Sequence, residues 1–416
     1  MELASLLANF VELPAAPAPL DPKLLPAHGA VFALLDAEHR LIQLLSAQNL
    51  RRAALLRLQQ PIDAPDSAAA AAHDVCGAGV PTAANEVCGA GVPPAQPAAS
   101  AAAPSRPRTK RPDLRSVTRS IRWKPAYSTF ESALEYLRAA RVLLPQAYRK
   151  QLGFGPVWFA HVDPAEHLPR WSAQQIAYTG RGIDCGPFDR RALCAEFIQM
   201  LEDAFELCRY YDILEQTPHG VPCAYFEMGK CPAPCNGSIS LEQYREMIRA
   251  SADFACGDPE SHLAQLQEAM QSAAKALQFE RAAGIKQTIE RARKLLAAPG
   301  RLGANAEDFV YLIVQRGAKP SLVRPFFVDR GIIEASDDVK LAKIEQAAPA
   351  WIERLHAARE CSAADAVTRS EHVWLVSHFL IKRDATPGLF VHRSVLGEAE
   401  TLATRIRERF IGGRTP

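Results

Sequence analysis

Four cysteines carry the clearest chemistry in the chain. Cys208, Cys223, Cys231 and Cys235 fall within 28 residues, with 14, 7 and 3 residues between successive members. Thiols this close in sequence can converge on one centre, and thiolate is the ligand that both Zn²⁺ and iron–sulfur clusters prefer. Structural zinc sites usually group their cysteines in two tight knuckles, and here Cys231 and Cys235 alone have that spacing. Cluster ligands accept wider and uneven gaps. The spacing leans to iron–sulfur and leaves Zn²⁺ as the alternative. Of the other cysteines, Cys76 and Cys88 sit in a duplicated VCGAGVP segment of low complexity, and Cys185, Cys194, Cys256 and Cys361 fall outside the pattern and are expected to be core thiols.

The bulk numbers say what kind of scaffold must hold this site. A chain of 416 residues has room for several domains, each with its own core. A formal net charge of +2 is too small to announce a nucleic-acid partner, so any DNA contact must come from local clusters. The first residues, MELASLLANFVELPAAPAPL, lack the basic and long apolar segments of an export signal, and no long apolar window follows. The expectation is a cytoplasmic protein with no membrane span. In that compartment clustered cysteines read as metal ligands rather than disulfides.

Hydrophobic patterning places the elements. Ala30–Leu35 and Leu41–Leu45, joined by the polar Asp36–Arg40, predict a β-hairpin, and a helix follows from Asn49. Residues 61–107 turn to Ala, Pro and Gly and read as a disordered insert. A strand over Ser116–Trp123 and a helix from Ser128 to Leu144, stopped by Pro145, resume the first domain. Beyond the cysteines, Leu263, Leu266, Met270, Ala274 and Leu277, then Ala282, Ile285, Ile289 and Ala292, repeat at three or four residues. They predict a pair of amphipathic helices whose apolar face needs a partner. Asp308–Val314 and Leu322–Val328 predict another hairpin, with helices at about 338–360, 370–381 and 397–410. The fold class is α+β and multidomain: 1–150 with the insert, a helical four-cysteine domain at 151–257, a helical hairpin at 258–298, and a small α+β domain at 304–416.

The segment PCAYFEMGKCPAPC, Pro222 to Cys235, resembles the Cys-rich signature of the UvrC/Cho family of excinuclease subunits, and Cys185-Gly-Pro-Phe188 and Ala204-Phe-Glu-Leu-Cys208 resemble its flanking elements. The resemblance implies a 4Fe-4S cluster on the four cysteines. MQSAAKALQFERAAGIKQTI, Met270 to Ile289, is similar to the UVR motif, with Lys286 and Gln287 in place of an Arg-Asp pair. That likeness implies docking on a UvrB-type partner through Met270, Phe279, Glu280 and Ala283.

Residues 29–53 resemble the GIY-YIG nuclease module, whose tyrosines, cations and metal-binding glutamate activate water and offset developing phosphoryl charge. Carried over position by position, Phe32 and Gln43 stand where the tyrosines belong, Ser46 replaces the lysine and Ala53 the arginine. Tyr136 falls at the glutamate, with Glu135 one residue away, and Tyr148 at an asparagine. The module is degenerate: the domain is expected to fold and not to cut. The 120 residues after Leu296 (297–416) lack the Asp-Ile-Ser-His element of the family's second nuclease, which is RNase H-like; Leu375-Val-Ser-His378 comes nearest.

Arg51, Arg52, Lys110, Arg111 and Arg122 are candidates for DNA contact, within a basic stretch that also holds Arg106, Arg108, Arg115, Arg119 and Lys124 beside Trp123. The combined reading is a UvrC-like protein of nucleotide excision DNA repair that binds DNA and a UvrB-type partner. An active excision endonuclease with a diverged site, and a cluster-bearing redox or scaffold protein, are the alternatives.

Overall fold

Every residue of Ala30–Leu35 is buried, so this run must lie between two layers. It forms the strand β2 of a four-stranded antiparallel sheet made from β1 (Asn9–Glu12), β2, β3 (Leu41–Ala47) and β4 (Ser120–Pro125), in the order β1-β4-β2-β3. Helix α1 (Leu50–Leu58) covers one face, where Ala30, Phe32 and Leu34 meet Leu50, Ala54 and Leu58. Helix α2 (Thr129–Leu143) covers the other, where Val31, Ala33 and Leu35 meet Ala139 and Ala140. Ser128 caps α2 by accepting from the Glu131 amide, and the Glu131 carboxylate accepts from the Tyr127 amide at 2.7 Å. Glycine is required at position 29, because a Cβ there would lie 2.3 Å from the Ala126 carbonyl oxygen.

The computed structural model describes residues 2–16, 18, 20–58, 113–257, 259–296, 302–357, 365–382 and 387–412. The chain divides into two compact units, Met1–Gly153 and Phe154–Pro416. The Ala/Pro/Gly insert and Cys76, Cys88 and Cys361 lie outside the described residues.

The second unit begins with a sheet that the residue pattern did not signal. Strands β5 (Trp158–Val162), β6 (Ser172–Gln174) and β7 (Ile183–Phe188) pair antiparallel in the order β6-β5-β7. One strand is only three residues long and another contains Gly186-Pro187, so neither shows a clean alternation. Helix α3 (Arg191–Ala204) leads to the four cysteines, and α4 (Leu241–Cys256) follows them behind a capping box of Ser240 and Gln243. Helices α5 (Pro259–Lys275) and α6 (Phe279–Leu296) form the expected hairpin.

Cys185 on β7 and Cys256 at the end of α4 are joined in a disulfide, with Cα atoms 5.7 Å apart. This corrects the expectation of free core thiols at these two positions: residues 71 apart in sequence are brought together by packing that spacing cannot reveal. Cys194 remains a buried free thiol.

The chain returns from the hairpin to the same place. Cys185 bridges to Asn305, the Gly186 amide donates to the Ala304 carbonyl, and the Leu302 amide donates to the Pro187 carbonyl. From there β8 (Val310–Arg316), β9 (Leu322–Asp329), β10 (Ile332–Ala335), β11 (Val339–Lys340) and β12 (Leu389–His392) build a second sheet, in the order β10-β9-β8-β12 with β11 paired to β9. Helices α7 (Ile344–His356) and α9 (Ala399–Arg407) pack on one face. Helix α8 (Ala366–Ile381) packs on the other, with Phe379 stacked on Phe390 at 6.1 Å.

Helix α8 also reaches the middle sheet. The Ala177 amide donates to the Ser370 hydroxyl at 2.9 Å, and the Trp374 indole donates to the Gln175 carbonyl at 3.1 Å. Arg369 lies 3.9 Å above the Tyr178 ring, and the Tyr178 hydroxyl donates to the Ala306 carbonyl. No helix among the described residues is long and apolar enough to cross a membrane.

Candidate functional site

The cysteines follow α3 in a segment of short turns. Cys208 lies just past the helix, Cys223 opens the turn Ala224–Glu227, Cys231 follows it, and Cys235 lies in the turn Pro234–Asn236. Ala233 takes a left-handed conformation, φ 53°, which doubles the chain back between the last two cysteines. The return is held by the Gly220 amide, which donates to the Cys235 carbonyl at 2.9 Å, and by the Thr217 hydroxyl, which donates to the Pro234 carbonyl at 3.1 Å.

Arg209 straps the outside of this segment. Its guanidinium lies 4.2 Å over the Tyr225 ring, pairs with Asp203 and donates to the Lys230 carbonyl at 3.4 Å. Tyr244, buried on α4, backs the site with its hydroxyl against the Cys208 main chain. Burial pushes its phenol well above the usual value.

The thiols influence one another. A hydrogen bond to Cys231 pushes the Cys208 thiol up, burial adding to the effect, and the same bond pulls Cys231 down with help from the Arg209 charge. Burial, and then the charge of Cys231, raise Cys235, which also senses Cys223. The Cys208 thiol donates to the Tyr210 carbonyl at 3.4 Å. Among the described residues no group of three or more His, Cys, Asp or Glu side chains is gathered closely enough to hold a metal ion. The donor chemistry nevertheless fits a thiolate-bound group: four thiols in one turn-rich segment, with the Cys231 thiol held below its usual value.

The helical hairpin corrects one expectation. Its apolar face does not await a partner along its length, since Leu263, Ile289 and Ala292 are buried against the middle domain and Arg291 donates to the Asp203 carbonyl at 3.1 Å. Sequence periodicity shows that a face needs covering, but not what covers it. The tip differs. Phe279, Glu280 and Ala283 are exposed, and Met270 is half-buried.

Helix α5 ends in a Schellman turn, in which the Gln278 amide donates to the Ala273 carbonyl and the Leu277 amide to the Ala274 carbonyl. The left-handed position, where glycine is usual, is taken by Leu277 at φ 58°. Leu277 is 73% exposed and Phe279 66%.

The six positions that the resemblance to a nuclease module singled out are not brought together. Phe32 lies beside Leu45 and Trp123 on the α1 face, with Ala53 in the same cluster. Gln43, opposite Leu34, shares that face and accepts from Arg57 at 3.3 Å. Ser46 lies opposite Val31 on the α2 face, where Tyr136 and Tyr148 also pack. Tyr136 donates to Gln151 at 3.3 Å. Glu135 is held by Lys124 at 2.6 Å and Arg138 at 2.9 Å.

The basic stretch is also committed within the fold. Arg115 donates to the carbonyls of Pro14 and Ala18, Arg119 to that of Ser116, and Arg51 to that of Leu25. Arg122 lies over the Phe10 ring at 4.6 Å, and Arg52 is exposed. Arg106, Arg108, Lys110 and Arg111 lie outside the described residues. Arg51, Arg115 and Arg119 thus each give part of their donor set to main-chain carbonyls of the first unit, and Arg52 stays exposed.

Residues 157–254 match the family model described as the UvrC/Cho excinuclease middle domain, and residues 260–295 match the UvrB/uvrC motif. These two segments are similar to the UvrC/Cho family. The chain is similar to UvrABC system protein C of Clostridium acetobutylicum, at 29% identity over 177 residues, covering 42% of this chain and 28% of the relative. It is similar also to that of Methanothermobacter thermautotrophicus, 30% over 155 residues (37% and 25%), and of Pseudomonas aeruginosa, 26% over 200 residues (45% and 33%). The chain thus spans between 25% and 33% of the length of these UvrC relatives. No solved structure matches it.

Within residues 157–254 one group beside the cysteines was not legible as perturbed. Burial pushes the Glu202 carboxyl up to about 7, the Arg209 charge opposing the shift. A carboxyl whose folded pKa exceeds its ordinary 4.5 keeps its proton in the folded state while the unfolded chain has lost it, so stability falls as pH rises between those values. Glu202→Gln is expected to flatten that fall, seen as a urea midpoint that gains on the parent from pH 5 to pH 7. An unchanged difference between the two proteins across that range would show that the carboxyl titrates normally.

Proposed function

We propose that the chain is a nucleotide excision DNA-repair protein of UvrC type that binds DNA and a UvrB-type partner and does not itself cut DNA with its amino-terminal domain. The observation that carries this reading is the hairpin tip. A leucine held in a glycine-type conformation, 73% exposed and two residues from a 66% exposed phenylalanine, is costly in an isolated chain on both counts. A partner that buries Leu277 and Phe279 accounts for both features, and UvrB is the partner implied by the UVR motif at residues 260–295. Co-purification with a UvrB-type protein is expected, and Phe279→Ala combined with Ala283→Glu should weaken it by at least about tenfold. Binding untouched by the double substitution would sink the tip as the docking element.

We assign the four thiols to a 4Fe-4S cluster held by Cys208, Cys223, Cys231 and Cys235. Such a group, when bound, requires all four as thiolates. The depressed Cys231 and the Arg209 charge beside it favour the first deprotonation, and Tyr244 and the Arg209 strap hold the two ends of the segment. Anaerobic purification should give a brown protein with about four irons and four sulfides per chain, and Cys231→Ser with Cys235→Ser should lose both. A colourless protein carrying a single zinc ion would overturn the cluster assignment.

The non-cutting half of the proposal is supported by the placement of the aligned positions on opposite faces of one sheet and by the charge partners of Glu135. A lesion-bearing duplex incubated with Mg²⁺ is expected to stay intact. Nicking that disappears in Glu135→Ala would restore the endonuclease reading.

A further inference from the structure

Cys185 and Cys256 belong neither to the four-thiol site nor to the hairpin, yet their bond encloses one and adjoins the other. The disulfide joins residues 71 apart, and Cys208, Cys223, Cys231 and Cys235 all lie inside the ring it closes. We propose that this pair is a reversible redox clasp. As a disulfide it fastens the end of α4 to β7, and as two thiols it frees the junction through which α4 leads into the hairpin.

The two ends of the clasp are held very differently. Cys185 is fully buried on β7, paired with Ala160 of β5 on one side and bridged to Asn305 on the other. Cys256 is the last residue of α4 and 8% exposed, and the turn there is closed by the Gly257 amide, which donates to the Asp253 carbonyl at 2.8 Å. Gly257 itself is exposed. The last turn of a helix frays more readily than a strand paired on both sides. An attacking thiolate is therefore directed to the sulfur of Cys256. It bonds to that sulfur as the S–S bond breaks, and Cys185 leaves as a thiolate that takes up a proton. The second thiol of a dithiol reductant then displaces Cys256 in the same way. The reductant ends as its own disulfide, and its two electrons and two protons end on the two cysteines. A small-molecule disulfide such as oxidised glutathione runs the exchange in reverse.

Both states suit the surroundings. Cys185 and Cys256 lie in the apolar cluster that contains Phe188, Phe197 and Phe254, where a thiol packs as a small apolar side chain. The hairpin stays attached when the clasp opens, because Leu263, Ile289 and Ala292 are buried in the same cluster. His262 adds contacts to Phe205 and Phe254, with ring centroids 5.4 and 5.3 Å apart. Reduction thus removes a covalent constraint from a long ring without unfolding the domain, and the freedom released is felt where the frayed end lies. The clasp needs neither a partner at the hairpin tip nor a metal on the four thiols.

The test uses the full chain, handled anaerobically and compared after treatment with oxidised glutathione and with dithiothreitol. After oxidised glutathione, peptide mapping is expected to find Cys185 and Cys256 in one linked peptide. After dithiothreitol, hydrogen exchange in the last turn of α4 and the first turn of α5 should quicken at least about tenfold, while exchange in α1 and α2 stays as it was. Cys185→Ala combined with Cys256→Ala should show the faster rate under both treatments. The parent alone decides the question where the double variant does not fold, since its own two redox states are compared. Absence of the linked peptide after oxidised glutathione, or exchange in the parent that dithiothreitol leaves unchanged, would overturn the clasp. So would a response to dithiothreitol that persists in the double variant, because it would come from the other thiols.

Discussion

A largely buried helix keeps its polar side chains at low cost where they find partners within the protein, and α8 does this for several of them by bonding in two directions, while the Ser377 hydroxyl is buried without one. Toward the middle sheet, Ser370 takes the Ala177 amide and Trp374 reaches the Gln175 carbonyl. Toward the second sheet, Arg369 donates to the Arg330 carbonyl and His372 to that of Gly331, both at the β9–β10 turn. Gly331 has no room for a side chain, since a Cβ would lie 2.5 Å from the Arg369 carbonyl oxygen. Each of these bonds replaces one to water, so the gain per bond is small while the loss of any one leaves a buried group stranded. That asymmetry makes residues 154–416 behave as one compact unit, although the family match within them ends at residue 295.

The helical hairpin leaves and re-enters this unit at a single point. Its entry is fixed by the Cys185–Cys256 disulfide after α4, and its exit by the bridge from Cys185 to Asn305. Both ends of α5 and α6 are thus referred to one strand, β7, while the flanks of the helices pack on α3 and its neighbours. Anchoring of this kind removes motion from the base and leaves the tip as the part whose apolar surface has no cover. The strain at Leu277 and the exposure of Phe279 are therefore properties of the tip, not of a loosely held hairpin.

Much of the architecture was legible because it follows periodicity. β2, β3, α1 and α2 were readable from alternation, a helix cap and Pro145, and the α5–α6 hairpin from its three-to-four spacing. β1 was missed since four residues of NFVE carry no pattern; its place comes from pairing with β4, more than 100 residues away. α8 was found as a helix, but its role was hidden, because Arg369, Ser370, Glu371 and His372 look like a solvated face in sequence and are buried in the fold. The four cysteines were legible from residue type alone. Arg209, Tyr244 and Glu202 were not, since each acts by position relative to elements that the sequence does not locate.

The positions aligned by resemblance with a nuclease module illustrate a stronger form of the same limit. Side chains alternate along a strand, so register decides on which face a residue works. Phe32, Gln43 and Ala53 fall on the α1 side and Ser46, Tyr136 and Tyr148 on the α2 side, with the fully buried β2 between them. Packing on both faces requires apolar residues in β2 whatever the chemistry of its neighbours, so the hydrophobic outline of this strand is fixed by the core. A hydroxyl restored at position 32 would enter a cluster of Leu45, Trp123 and α1 side chains in which Phe32 is 1% exposed. It would arrive without water and bear a desolvation cost before it could activate anything. The proposed absence of cleavage is thus a property of the core around Phe32, and single reversions cannot undo it.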